Sequence, residues 1–238
     1  MKILLICGHG EGDPGAVGNG YEEATLVREM VSKLKGLLSP YADVDVFDTT
    51  KNMYKYLKSG EWYNFRKYDY VFELHFNAFD KKASGTEILV HERENGISVE
   101  EYILKNIERL GFKNRGVVRR TDLRNMNVCK VNQGVSYALL ETCFIDNADD
   151  MSLYKEKKDD IIEAIVDGMV QGFGLNKSVN NTEHSERILT SANDITWELN
   201  HSFFPISDLA RFVKELDEAK EKNSSLYWGF YKLANRIK

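Results

Sequence analysis

The 238-residue sequence predicts an α/β fold, a mostly parallel twisted sheet flanked by helices, followed by a small all-α C-terminal module. Three observations carry that expectation. Short apolar runs alternate with segments of helical period as far as residue 173, which is how βαβ units covered on both faces read. Residues 174–185, "GLNKSVNNTEHS", are polar and lack any period, as a linker does. Beyond them helical stripes recur with no strand-like run between them. The expected organisation is a domain over 1–174, a linker over 175–185 and a helical module over 186–238.

The first element is a buried strand over 2–7, "KILLIC". Its apolar run is shorter than the roughly 7–15 residues of a signal-peptide core, and it stops at glycine and histidine. The expectation is therefore a chain made in the cytoplasm without a cleaved signal. A glycine-rich loop leads to a helix over about 22–38, striped by Val27, Met30, Leu34 and Leu37. Strands follow at 43–47, 69–75, 86–91 and 135–140. Helices are expected at about 51–66, 97–110 and 156–173. In the tail, Ile188, Ala192 and Ile195 begin one stripe. Ser207 heads a second with Leu209, Phe212, Val213 and Leu216, and "SLYWGFYKLANRI" makes a third.

Composition narrows the function. Hydrophobic residues at 42% and charged residues at 29% are ordinary for a globular chain. A net charge of −5 provides no global basic field for nucleic acid. No segment approaches the ~20 apolar residues of a membrane span. Cys7, Cys129 and Cys143 are too few and scattered for a disulfide framework, and no C-x-x-C occurs.

The loop "GHGEGDPGAVGNGYEEA" poses a choice between an anion and a cation. Gly10, Gly12 and Gly15 spell G-x-G-x-x-G, the pyrophosphate cradle of dinucleotide-binding folds. Here the helix starts near Tyr21, several residues past Gly15, so its N-terminus is not poised over a phosphate. Pro14 removes a donor, and Glu11 and Asp13 repel an anion. A metal suits the loop better. Glu23 precedes Val27 by four and Met30 by seven, so it begins the buried face of the helix. Glu22 aligns instead with Thr25, Glu29 and Lys33, the polar face, where a carboxylate on the first turn needs no partner.

A buried carboxylate requires compensation. His9 closes the first strand and His75 closes "YDYVFELH", so both emerge at the carboxyl edge of a parallel sheet, where active sites gather. His9, Glu23 and His75 together make a two-histidine, one-carboxylate set with an open fourth position, the requirement of catalytic zinc. A general base is expected from another strand on that edge. Glu141, at the end of the apolar run in "GVSYALLETCFIDN", is the candidate.

Residues 1 to about 174 resemble the zinc-dependent N-acetylmuramoyl-L-alanine amidases of the amidase-3 type, through "GHGEGDPGAVGNGYEEA", "ELHFNA", "GTEILVHE", "NRGVVRR" and "LLETCFIDN". The resemblance implies His9, Glu23 and His75 as zinc ligands and Glu141 as the catalytic glutamate. The implied reaction is hydrolysis of the amide between N-acetylmuramic acid and the stem-peptide L-alanine of peptidoglycan, in a phage endolysin or bacterial autolysin. Asn77 is expected either to fix a histidine or contact substrate, or to be a plain turn residue. Two positions depart from the family pattern: Glu73 stands where a small residue is usual and Cys143 where glycine is usual, both expected to reshape the pocket wall.

The rivals are weaker. A cysteine peptidase on Cys143 lacks a base, since only His184 and His201 lie downstream, and no G-x-S-x-G elbow occurs. A silent wall-binding protein on the same fold is the alternative, and a missing ligand or base would be its mark. The tail carries Trp197, Phe203, Phe204, Tyr227, Trp228, Phe230 and Tyr231. The last four fall within five positions, too close for all to face inward. The tail is therefore expected to bind a wall carbohydrate.

Overall fold

A computed structural model describes residues 1–177. In chain order its elements are β1 (Lys2–Cys7), the short hairpin β2 (Val17–Gly18) and β3 (Tyr21–Glu22), α1 (Glu23–Leu38), β4 (Asp43–Val46) and α2 (Met53–Lys58). There follow β5 (Tyr70–Asn77), β6 (Thr86–His91), α3 (Ser98–Glu108), β7 (Asn114–Arg120), α4 (Arg124–Met126), β8 (Ser136–Phe144) and α5 (Ala148–Phe173). Six strands form one sheet in the order β4-β1-β5-β8-β6-β7.

The central strands are predominantly apolar because both their faces are covered. Ile3, Leu5, Phe72, Leu74, Ala138 and Leu140 pack on α1, α3 and α5 through Val27, Met30, Leu34, Ile103 and Ile165. On the other face Leu4, Ile6, Val71, Tyr137 and Leu139 meet Met53, Leu57, Phe65, Met126 and Cys129. This leaves the carboxyl ends of β1, β5 and β8 side by side, since β1, β5 and β8 pair in parallel.

The expectation of a mostly parallel sheet holds, with one antiparallel pair, β6 against β8. The connection from β5 to β6, residues 78–85, is shorter than the dozen or more residues of a parallel crossover, so β6 must run back the other way. Strand β7 is an addition to the expected set. Its sequence "NRGVVRR" carries three arginines and a glycine, features of an edge strand that blunts pairing with another chain.

Three further boundaries differ from expectation. The helix expected over 51–66 is α2 plus a separate 3-10 turn at Phe65–Lys67, because the chain leaves the helix at Gly60 with φ +92°. The helix expected from 156 begins at Ala148, where the Asn147 side chain accepts from the backbone N–H groups of Asp149 and Asp150. The strand expected over 135–140 extends to Phe144, so Glu141 lies inside β8 rather than at its end.

The linker expected over 175–185 falls outside the described residues from 178 onward, as does the whole helical module over 186–238 with its aromatic cluster. Among the described residues no helix is long and apolar enough to cross a membrane.

Candidate metal centre

The site is built where β1 ends. Gly8 and His9 leave the strand, and His9 takes a left-handed conformation, φ +58°. Arg28 on α1 holds this turn from beneath. Its guanidinium donates to the carbonyls of Gly8 (3.3 Å), His9 (3.1 Å), Ala24 (2.7 Å) and Thr49 (3.0 Å).

Four of the loop N–H groups are committed within the chain. Gly10 and Asp13 bond each other's backbone, Gly15 N–H donates to Asp13 Oδ1 (3.0 Å) and Ala16 N–H donates to Glu23 Oε2 (2.8 Å). A phosphate cradle needs those donors pointed outward. Those four donors serve the loop itself, which counts against an anion site.

Glu23 begins α1 and is only 2% exposed. Its Oε2 lies 3.2 Å from His9 Nε2, and its Oε1 lies 2.8 Å from His75 Nδ1 while accepting the Phe76 N–H at 2.9 Å. The two imidazoles meet edge to face at 4.9 Å. One ligand atom from each of His9, Glu23 and His75 lies within 4.8 Å of the others. Each remote ring nitrogen is anchored: His9 Nδ1 on Asp13 Oδ2 (2.9 Å) and His75 Nε2 on Glu73 Oε1 (2.9 Å). Two nitrogens and a carboxylate converging from three elements, with the outer nitrogens tied to carboxylates, form a donor set suited to zinc.

The electrostatics agree. Burial opposes ionisation of Glu23, but the bonds from His75 and His9 outweigh it and hold its carboxyl well below the usual range. Burial likewise opposes protonation of both histidines, and their carboxylate partners, Glu23 foremost, raise both.

Glu22, the residue before α1, is exposed, and its side chain makes no capping bond. Glu141 sits beside the cluster, directly opposite His75 in the β5–β8 register. Burial pushes its carboxyl up to about 7, the nearby His75 charge opposing and Glu23 and Glu87 adding to the shift. Its Oε2 is buried and has no hydrogen-bond partner. On the far side of Glu141 the register brings in Glu87, which accepts from Asn77 Nδ2 (2.9 Å) and from Arg115 Nε (2.9 Å). The Asn77 amide thus goes to Glu87 rather than to a histidine.

Residues 3–171 match the family model described as N-acetylmuramoyl-L-alanine amidase. The chain belongs to that family. Over 188 residues it is 31% identical to the "Probable autolysin PH" of Staphylococcus aureus, across 72% of this chain and 38% of that protein. Over 180 residues it is 28% identical to the endolysin of Bacillus phage SPP1, across 71% of this chain and 64% of that protein. The chain thus spans less than two thirds of the length of either curated relative. The solved catalytic domain of CwlV, an N-acetylmuramoyl-L-alanine amidase from Bacillus (Paenibacillus) polymyxa, matches with a TM-score of 0.59 at 22% identity, over 74% of this chain and all of that domain. That likeness concerns the fold.

Within this amidase fold the two departures from the family pattern separate. Cys143 lies in the helix-facing core against Met151, so it does not form pocket wall. Glu73 is buried directly behind His75. Sequence reasoning gave no such place to Asp13, Arg28 and Glu87, which the structure puts beside the candidate centre, although Asp13 and His9 share one short loop.

Gly15 makes room for the cluster, and Gly12 in the same loop does not. A Cβ on Gly15 would fall 2.6 Å from Glu23 Oε2 and 2.7 Å from the His9 ring, at φ +70°. Gly15→Ala should therefore cost about 1–3 kcal/mol and weaken metal uptake. Gly12→Ala, at φ +79° with nothing within 4 Å, should show only backbone strain of about 1–2 kcal/mol. Thermal melts and zinc titrations on both variants check the difference.

Proposed function

We propose that the domain hydrolyses the amide joining N-acetylmuramic acid to L-alanine in peptidoglycan, with zinc held by His9, Glu23 and His75. The observation that carries this reading is the buried, unpartnered Oε2 of Glu141 next to a three-ligand set on the sheet's carboxyl edge. Bound there, zinc supplies Lewis acidity, polarising the scissile carbonyl and lowering the pKa of water. Glu141 accepts the proton of the attacking water and returns it to the departing L-alanine amine, so one carboxyl serves as base and then acid. Asp13 keeps the His9 imidazole turned toward the shared centre.

All four groups are in place, which supports turnover over a silent wall-binding protein. The purified protein should carry roughly one zinc per chain, and chelation should abolish wall lysis while leaving the fold intact. Digests analysed by mass spectrometry should contain stem peptides with free L-alanine amino termini and no new reducing sugar ends. Full lysis after verified metal removal would sink the zinc mechanism, and new reducing ends would indicate a glycosidase.

A further inference from the structure

The carboxylate behind His75 is built into the core with more support than packing requires. Glu73 lies two residues before His75 on β5, so both side chains leave the same face of the strand. It is 4% exposed, and both of its oxygens are engaged. Its Oε1 lies 2.9 Å from His75 Nε2, and Asn125 Nδ2 donates to Oε1 (3.1 Å) and Oε2 (2.9 Å). The Tyr137 hydroxyl, reaching across from β8, donates to Oε2. These donors come from β5, α4 and β8 and converge on one acceptor. A buried carboxylate surrounded in this way acts as an acceptor only, and its orientation is determined on every side.

We propose that Glu73, held by Tyr137 and Asn125, is the positioning residue that fixes His75 with Nε2–H turned inward and Nδ1 presented to the metal. The inference rests on His75 being a metal ligand. Glu73 touches no reacting atom and acts through the ring alone. On its other side the ring lies close against the Gly8 backbone, in space that a Cβ there would take, 2.5 Å from His75 Cε1. Of the two nitrogens only Nδ1 faces Glu23, so a ring released by Glu73 would lose the tautomer and the direction that the ligand set uses. Asp13 gives His9 the same service from the solvent side, partly exposed and held by the Gly15 N–H (3.0 Å) and Asn52 Nδ2 (3.2 Å). The His75 arrangement differs in being buried.

The test is competition for Zn²⁺ against a chromophoric chelator in the full chain, with thermal melts of the metal-free protein alongside. Glu73→Gln should weaken zinc binding about 10–100-fold. Tyr137→Phe, which keeps the ring and removes one donor, should weaken it less, in the same direction. Ring ¹⁵N NMR of the zinc-loaded wild type should show His75 protonated at Nε2 and ligated through Nδ1, and in Glu73→Gln that signature should broaden or shift. Wild-type zinc affinity and an unchanged His75 signature in folded Glu73→Gln would overturn the assignment. Should Glu73→Gln fail to fold, Tyr137→Phe decides: unchanged affinity overturns the assignment and a loss supports it. A wild-type chain that takes up no zinc overturns the metal reading and this one with it.

Discussion

Glu141→Gln should lower turnover about 10²–10⁴-fold while zinc content stays at the wild-type level. The amide has the size of the carboxyl group and cannot take a proton from water. The neighbours of Glu141 leave no substitute in its place: Glu87 is tied to Asn77 and Arg115, and Glu23 belongs to the ligand set. The same variant makes a stability prediction with a definite sign. Burial raises the Glu141 carboxyl from 4.5 to about 7, so in the metal-free protein ionisation is easier in the unfolded chain than in the folded one. As pH rises from about 4.5 to about 7 the wild type should therefore lose stability relative to Glu141→Gln, with the difference constant above that range. Thermal melts across that range, with chelator present, check it. Wild-type turnover in Glu141→Gln would assign the proton transfer to another group.

Glu23→Ala should abolish zinc uptake at concentrations that saturate the wild type, whereas Glu22→Ala should bind zinc normally. The two residues are adjacent in sequence and opposite in environment. Glu23 holds both histidines and the N–H groups of Phe76 and Ala16, and its removal leaves those two donors without their acceptor. Each orphaned N–H costs about 1–3 kcal/mol, so the metal-free variant should also melt earlier. Glu22 is exposed and makes no capping bond, and its loss should stay within about 0.5 kcal/mol. Metal analysis after dialysis, with melts of both variants, separates them. The reverse pattern would place the other face of α1 toward the site.

Much of this site is legible in the order of the residues, because local period decides which way a side chain faces. His9 follows β1 and His75 lies near the end of β5, which runs two residues further, to Asn77, than the sequence suggests; parallel strands bring these ends to one edge. Helical phase alone separates Glu23 from Glu22, since the two differ by one position on a period of about 3.6. The early start of α5 is encoded locally as well, in the cap-and-acid pattern of "NADD", although the apolar stripe by itself points to a later start.

Other features depend on which distant segments meet, and no local pattern encodes that. The insertion of β8 between β5 and β6 places Glu141 beside His75 on one side and Glu87 on the other. In the sequence Glu141 is a strand-end carboxylate; burial among charged neighbours makes it a group that ionises near 7. Glu73 reads as an oddity two residues before a histidine. Only the arrival of Tyr137 from β8 and Asn125 from α4 turns it into a fixed acceptor. By itself the sequence determined the faces and the chemical types of the ligands, because backbone geometry repeats every 2 or about 3.6 residues. Tertiary structure alone decided the register, the burial and the partners, because those depend on strands more than sixty residues apart coming into contact.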